Sequence, residues 1–337
     1  MAAANRPPRR LIGDIGATNA RFALVDADGR IASTRVLACD DYATIEDALS
    51  SYLGEDRHEP APLEAALAVA SPVTADAITL TNHPWSFTVS GLRRHFSLER
   101  LLVVNDFTAN ALAMPHIAPG ERFAVGGGTP VSDAPIGVLG PGSGLGVSGL
   151  VPAPGGWVAL QSEGGHATMA PADERESVVL DRMRRRFDHV SAERVLSGPG
   201  LVNLYNILAE IEGVPAAPFT PAQIADRHIG ESDALAREAL AMFCAMLGTA
   251  AGNLALILGA RGGIYIAGGI VPRLGASFAE TKFRQRFEAK GRFHIYLAAI
   301  PTYVVTHAIP AFLGLVALLD RPTDGGPADH PPPTKKL

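Results

Sequence analysis

The chain is poor in several things, and each scarcity closes off a class of function. It has two cysteines, Cys39 and Cys244, far apart and without metal-ligand spacing. That excludes a disulfide framework and a cysteine-based zinc site. Charged residues make up 19% of the chain, with a formal net charge of -5 and a pI near 6.1. No dense Lys/Arg stripe overrides that average, so no nucleic-acid partner is expected. The basic run Arg182 to Arg186 reads as the solvated face of one helix. The opening MAAANRPPRR has no apolar core before the first strand and cannot work as a secretory signal, which points to the cytoplasm. Long apolar runs are absent but for one. Ala241 to Ala260 carries no charge and is long enough to span a bilayer. It also holds Gly248, Gly252 and Asn253, and small residues four apart let helices pack closely in a protein core. It reads as a buried helix, and no membrane partner is expected.

What is present is an ordinary globular composition, 47% hydrophobic over 337 residues, enough for two domains with their own cores. Arg10 to Ile12 enters a strand that breaks at Gly13-Asp14-Ile15-Gly16-Ala17-Thr18-Asn19 and resumes as Ala20 to Val25. A turn at Asp26 to Gly29 leads into a third strand, Ile31 to Leu37. The first tip is rich in glycine and hydroxyl, so its backbone N–H groups and Thr18 can converge on one anion. Gly-Asp turns also exist for steric reasons alone. Helical spacing over Asp41 to Tyr52, strands at Leu63 to Val69 and Ile78 to Thr81, and a helix at Val89 to Phe96 follow. They lead to Leu101–Met114, where an apolar strand, Leu101 to Val104, runs into Asn105-Asp106 and a helical pattern from Thr108. A carboxylate at a strand's carboxyl end sits where open α/β sheets bind ligands, which makes Asp106 a candidate general base. A helix cap explains it equally well.

A second region repeats the device. Strand Ile136 to Leu139, the tip Gly140 to Gly146 and strand Val147 to Val151 suggest two related domains with their tips facing across a cleft. Glu163-Gly164-Gly165-His166 follows, then helix Ala172 to Phe187 and the segment Ser191 to Gly198. Helices are expected at Asn203 to Ile211, Pro221 to Arg227 and Ala234 to Leu258. Gly262 to Ile270 reads as a strand ending in Gly268-Gly269, where a flat ring or a sugar can approach the backbone. A strand Ile295 to Val305, a helix Ala311 to Leu319 and a disordered tail from Asp320 complete the chain. Taken singly, Glu163 fits a turn cap, His166 a structural histidine and Glu193 a surface pair with Arg194 or a neighbour.

Together these motifs resemble the bacterial ATP-dependent glucokinases, in the actin-like ATPase and hexokinase superfamily, from about Leu11 to Leu319. The resemblance implies an α/β fold of two actin-like ATPase (ribonuclease H-like) domains, with mixed sheets flanked by helices around an interdomain cleft. The expected division is a small domain over 1–115, rejoined by a helix at about 307–319, a large domain over 116–306, and a tail over 320–337. The resemblance assigns Gly13, Asp14, Ile15, Gly16, Ala17 and Thr18 to a first phosphate motif and Gly142, Ser143 and Gly144 to a second. Gly268 and Gly269 fall in the adenosine motif. Asn105, Asp106, Glu163, His166 and Glu193 become the sugar ligands, with Asp106 as catalytic base and Asp14 holding Mg²⁺ through water. Hydroxyls that both donate and accept need such a ring of polar partners. ATP and Mg²⁺ are the implied cofactors, D-glucose the substrate and a homodimer the assembly. Ala17 stands where close relatives usually carry glycine, and Ser143 where threonine is usual. The two cysteines do not supply the zinc cluster of the repressor-containing branch, and the residues before Leu11 are too few for a helix-turn-helix, so that branch is not expected. Three other readings stay open: a kinase for mannose, fructose or glucosamine, a sugar-binding regulator with little turnover, and an actin-like filament ATPase.

Overall fold

A computed structural model describes residues 10–54, 62–226 and 231–321. By internal contacts these fall into two units: the residues up to His116 with those from Ile309 on, and Ile117–Ala308.

The first unit is built on a five-stranded sheet of β1 (Arg10–Ile15), β2 (Asn19–Val25), β3 (Ile31–Ala38), β4 (Glu64–Val69) and β7 (Arg100–Asn105), in the order β3-β2-β1-β4-β7. β1, β2 and β3 form an antiparallel meander, while β1, β4 and β7 run parallel. A separate hairpin pairs β5 (Ala77–Thr79) with β6 (Ser86–Thr88). β4 is apolar almost throughout because both its faces are covered. Leu67 and Val69 join a cluster with Phe22, Leu49 and Tyr52, whereas Ala66 and Ala68 pack with Ile12, Phe312 and Leu315. Those alanines let the helix Pro310–Leu319 approach the sheet.

The second unit has a six-stranded sheet, with β8 (Arg122–Ala124), β9 (Ile136–Pro141), β10 (Leu145–Ala153), β11 (Gly156–Leu160), β12 (Gly263–Ile266) and β13 (Thr302–Val305) in the order β11-β10-β9-β12-β13-β8. Its first five strands repeat the order and senses of the other sheet: an antiparallel meander, then two parallel strands beside its first strand. β8 is added antiparallel at the edge.

The apolar helix Ala234–Leu258 is long enough to cross a membrane by length and composition. Here Phe243, Met246 and Leu247 are buried in the second unit's core. The helix Phe283–Glu288 packs against it at two glycines. A Cβ on Gly248 would lie 2.2 Å from the Phe283 carbonyl oxygen, and one on Gly252 would lie 2.6 Å from that of Phe287.

Several boundaries differ from the sequence expectation. Ile295 to Val305 is not one strand: His294–Ala298 is helical and β13 begins at Thr302. An unbroken apolar run carries no period, and Pro301 divides it. Gly262 to Ile270 holds a strand only over Gly263–Ile266, and Val271–Leu274 turns helical. Asp41 to Tyr52 resolves into a 3₁₀ turn, Cys39–Asp41, and a helix Ile45–Gly54. The helix expected from Asn203 starts at Gly198, because Ser197 accepts from the Gly200 N–H and Pro199 suits the first turn. The helix expected from Thr108 starts at Asp106. Arg227 and residues 322–337, which include most of the expected tail, lie outside the described residues.

Candidate active site

In the first unit, β1 and β2 close around Gly16, Ala17 and Thr18. The Gly16 N–H donates to the Asn19 carbonyl at 3.0 Å, and the Cys39 N–H donates to that of Thr18 at 2.9 Å. The Cys39 thiol lies 3.5 Å from the Gly16 oxygen. Thr18 is exposed, and Gly16 and Ala17 are half-buried. Gly13 and Ile15 belong to the core instead. Ile15 is fully buried, and a Cβ on Gly13 would meet the Leu67 side chain at 2.7 Å. Gly13 is therefore explained by sheet packing, which sequence spacing does not distinguish from ligand approach.

Asp14 lies one strand position from that tip, with Oδ2 3.1 Å from Arg21 on β2. Burial raises its pKa above the ordinary carboxylate value, and the Arg21 charge and hydrogen bond pull the other way without cancelling it. A desolvated carboxylate of this kind is eased by a nearby cation, and a hard oxygen donor suits Mg²⁺. Among the described residues no group of three or more His, Cys, Asp or Glu could hold a metal.

At the carboxyl end of β7 the two candidate side chains divide the work. Asn105 is the helix cap: its Oδ1 accepts from the N–H groups of Phe107 and Thr108 at 2.9 and 3.3 Å, and its Nδ2 donates to the Ser71 carbonyl at 3.3 Å. Asp106 is the first helical residue, half-buried, with Oδ1 2.9 Å from the Phe107 N–H. The cap that sequence alone allowed for Asp106 is filled by its neighbour. A carboxylate in a helix's first turn is also favoured by the helix dipole.

The second unit gathers the other candidates. The tip Gly142-Ser143-Gly144 joins β9 to β10, with Ser143 exposed. Gly268 and Gly269 are exposed beyond β12, and Gly268 adopts φ +85° with its Cβ position 2.4 Å from the Pro141 carbonyl oxygen. That close approach draws the glycine pair up beside the start of the tip. Among the described residues, none but its own chain neighbours comes within 4 Å of a Cβ on Gly269. Glu163 precedes the 3₁₀ turn Gly164–His166 and His166 ends it, both exposed, with Glu163 Oε2 4.0 Å from His166 Nε2. Glu193 is half-buried and its Oε2 accepts from the Leu145 N–H at 2.9 Å. His166 and Glu193 line one cavity of about 480 Å³ with Arg186, Phe187, His189 and Arg194. Arg194 lies over the Phe187 ring at 4.4 Å, and among the described residues no ion pair joins it to Glu193. Sequence reasoning did not find Arg21, Ser71 or the Leu145 N–H as partners of site residues.

Residues 11–322 match the family model described as Glucokinase. The chain belongs to the glucokinase family. It is 54% identical over 313 residues to the glucokinase of Paramagnetospirillum magneticum, covering 93% of this chain and 98% of that protein. Among solved structures, the glucokinase from an Antarctic psychrotroph superposes with a TM-score of 0.83 at 36% identity, over 93% of this chain and 99% of that one. A ROK family glucokinase from Streptomyces griseus, in complex with glucose and AMPPNP, shares the fold at 17% identity and a TM-score of 0.62, over 92% and 98%. The family's actin-like ATPase fold accounts for the paired sheets with repeated strand order.

Proposed function

We infer that this chain phosphorylates D-glucose at its 6-hydroxyl with ATP, giving glucose 6-phosphate and ADP. The observation that carries the reading is the half-buried Asp106 carboxylate at the carboxyl end of β7, held by the Asn105 cap, in a chain of the glucokinase family. Asp106 takes the proton from the sugar's 6-hydroxyl as that oxygen attacks the γ-phosphoryl group, and ADP leaves. Asn105, Glu163, His166 and Glu193 bind and orient the sugar. The two tips hold phosphates through the backbone N–H groups of Ala17, Thr18, Ser143 and Gly144 and the hydroxyls of Thr18 and Ser143, the Gly16 and Gly142 N–H groups being bonded within their own turns, and Gly268-Gly269 leaves room for the adenosine. Mg²⁺, when bound, neutralises charge on the phosphates, and Asp14 is the residue that would hold it, through water. Family membership supports placing the enzyme in the cytoplasm as a homodimer, with no nucleic-acid or membrane partner.

Asp106→Asn and Asp106→Ala test the assignment. Glucose-dependent ADP release should fall by roughly 10²–10⁴-fold in kcat, the span of a lost general base, while the glucose dissociation constant changes little. An asparagine variant turning over at the wild-type rate would remove Asp106 from the mechanism. The same assay across glucose, mannose, fructose and glucosamine should give glucose the highest kcat/KM.

A further inference from the structure

Glu193 touches more than a sugar ligand needs to. Its Oε2 accepts from the Leu145 N–H at 2.9 Å, at the end of the second glycine tip. The same segment grips the tip's other end, where the Gly198 N–H donates to the Gly142 carbonyl at 2.8 Å. Between those two contacts the segment is itself fixed: the Ser197 hydroxyl donates to the Glu193 carbonyl at 2.8 Å and accepts from the Gly200 N–H at 3.0 Å. One stretch, Glu193 to Gly198, therefore braces Gly142-Ser143-Gly144 from both sides. The approach is close enough that a Cβ on Gly144 would lie 2.5 Å from Glu193 Oε2.

A carboxylate has two oxygens and about four acceptor positions, so a bond to Leu145 leaves capacity for a hydroxyl. We propose that Glu193 is shared: one oxygen serves the sugar while the other positions the second phosphate tip, coupling the affinities for glucose and nucleotide. The proposal rests on the sugar and phosphate roles given to Glu193 and Gly142 to Gly144 above. Two of the tip's three residues are glycine, so an unbraced tip loses the most entropy when its N–H groups must converge on phosphate. A sugar hydroxyl that fixes the carboxylate also steadies the tip. Nucleotide on the tip steadies the carboxylate in return, because linkage is reciprocal.

The test measures MgADP binding calorimetrically without sugar, a condition in which a pure sugar ligand has no effect. Glu193→Ala should weaken MgADP about tenfold, on the scale of a lost hydrogen bond to a charged group. Glu193→Gln, whose side-chain carbonyl can still accept from Leu145, should bind MgADP within about twofold of wild type while losing glucose affinity. In the wild type, saturating MgADP should tighten glucose about three- to tenfold, a coupling of ordinary size, and in Glu193→Ala that ratio should fall to about one. Glu193→Asp, with too short an arm to reach Leu145, stands in if the alanine variant does not fold. Wild-type MgADP affinity in Glu193→Ala, or equal weakening in the alanine and glutamine variants, overturns the proposal. A wild-type enzyme without glucose-dependent ADP release overturns the proposed function instead, and the two failures are distinct.

Discussion

Asp14 carries its charge at a cost to the fold, since burial raises its pKa despite Arg21 at 3.1 Å. Below the unfolded value near 3.8 the carboxyl is protonated in both states and adds no pH dependence. Between that value and the raised folded one, the unfolded chain ionises first and binds fewer protons, so stability falls as pH rises. Above both values the penalty is constant. Asp14→Asn mimics the neutral form. Urea denaturation should show its stability advantage over wild type growing as pH rises from 4 and then levelling, while the Mg²⁺ concentration needed for activity increases. An advantage that shrinks with rising pH contradicts the burial account. The same scale shows what sequence could and could not convey. Asn105-Asp106 at a strand end was legible as a candidate site, but which of them caps the helix depends on where Oδ1 of Asn105 points. Ser71 and Leu145 meet their site partners across 34 and 48 residues of chain, and no local spacing encodes such contacts.

Helices in both units are positioned by glycines that allow backbone contact. In the first unit, the final helix Pro310–Leu319 lies against Asp106–Ala113 so closely that a Cβ on Gly314 would sit 1.9 Å from the Ala109 carbonyl oxygen. The helix that begins with the proposed base is thus set by an element some 200 residues away in sequence. Gly314→Ala should push the two helices apart, costing about 1–3 kcal/mol by overpacking, read as a lower Tm. It should also reduce kcat more than it changes the KM for glucose, because Asp106 moves with its helix. Wild-type Tm and kcat would mean that the pair adjusts without strain. Helix Ala234–Leu258 was fully legible, since a long apolar pattern is bounded by the capping residue Asp233 and by Gly259 in the left-handed conformation. The strand expected at Ile295 to Val305 was not, because its apolar run lacks the periodicity that separates helix from strand.

The whole molecule repeats one plan, a glycine-tipped hairpin leading a meander with two parallel strands added beside it. The paired glycine tips suggested that repeat in sequence without their residues being similar enough to establish it, whereas the short edge strand β8, at Arg122–Ala124, gave no pattern to read. The units differ in how the chain builds them. Ile117–Ala308 is continuous and has its own core, while the first unit needs the residues from Ile309 on to cover one face of its sheet. A fragment spanning 117–308 should therefore fold alone and unfold cooperatively. A chain ending at residue 308 should lose the first unit, because Phe312, Leu315 and Leu319 are buried on that face. At about 1.5–3 kcal/mol for each large apolar side chain, that loss is roughly 5–9 kcal/mol. A domain's whole stability is only about 5–15 kcal/mol. Trp85 is buried in the first unit and Trp157 lies in the second, and there are no other tryptophans. In a Trp157→Phe background, truncation after 308 should shift Trp85 emission to the red and abolish its cooperative melt. A blue-emitting, cooperatively melting Trp85 in the truncated chain would show that the sheet holds without its terminal helix.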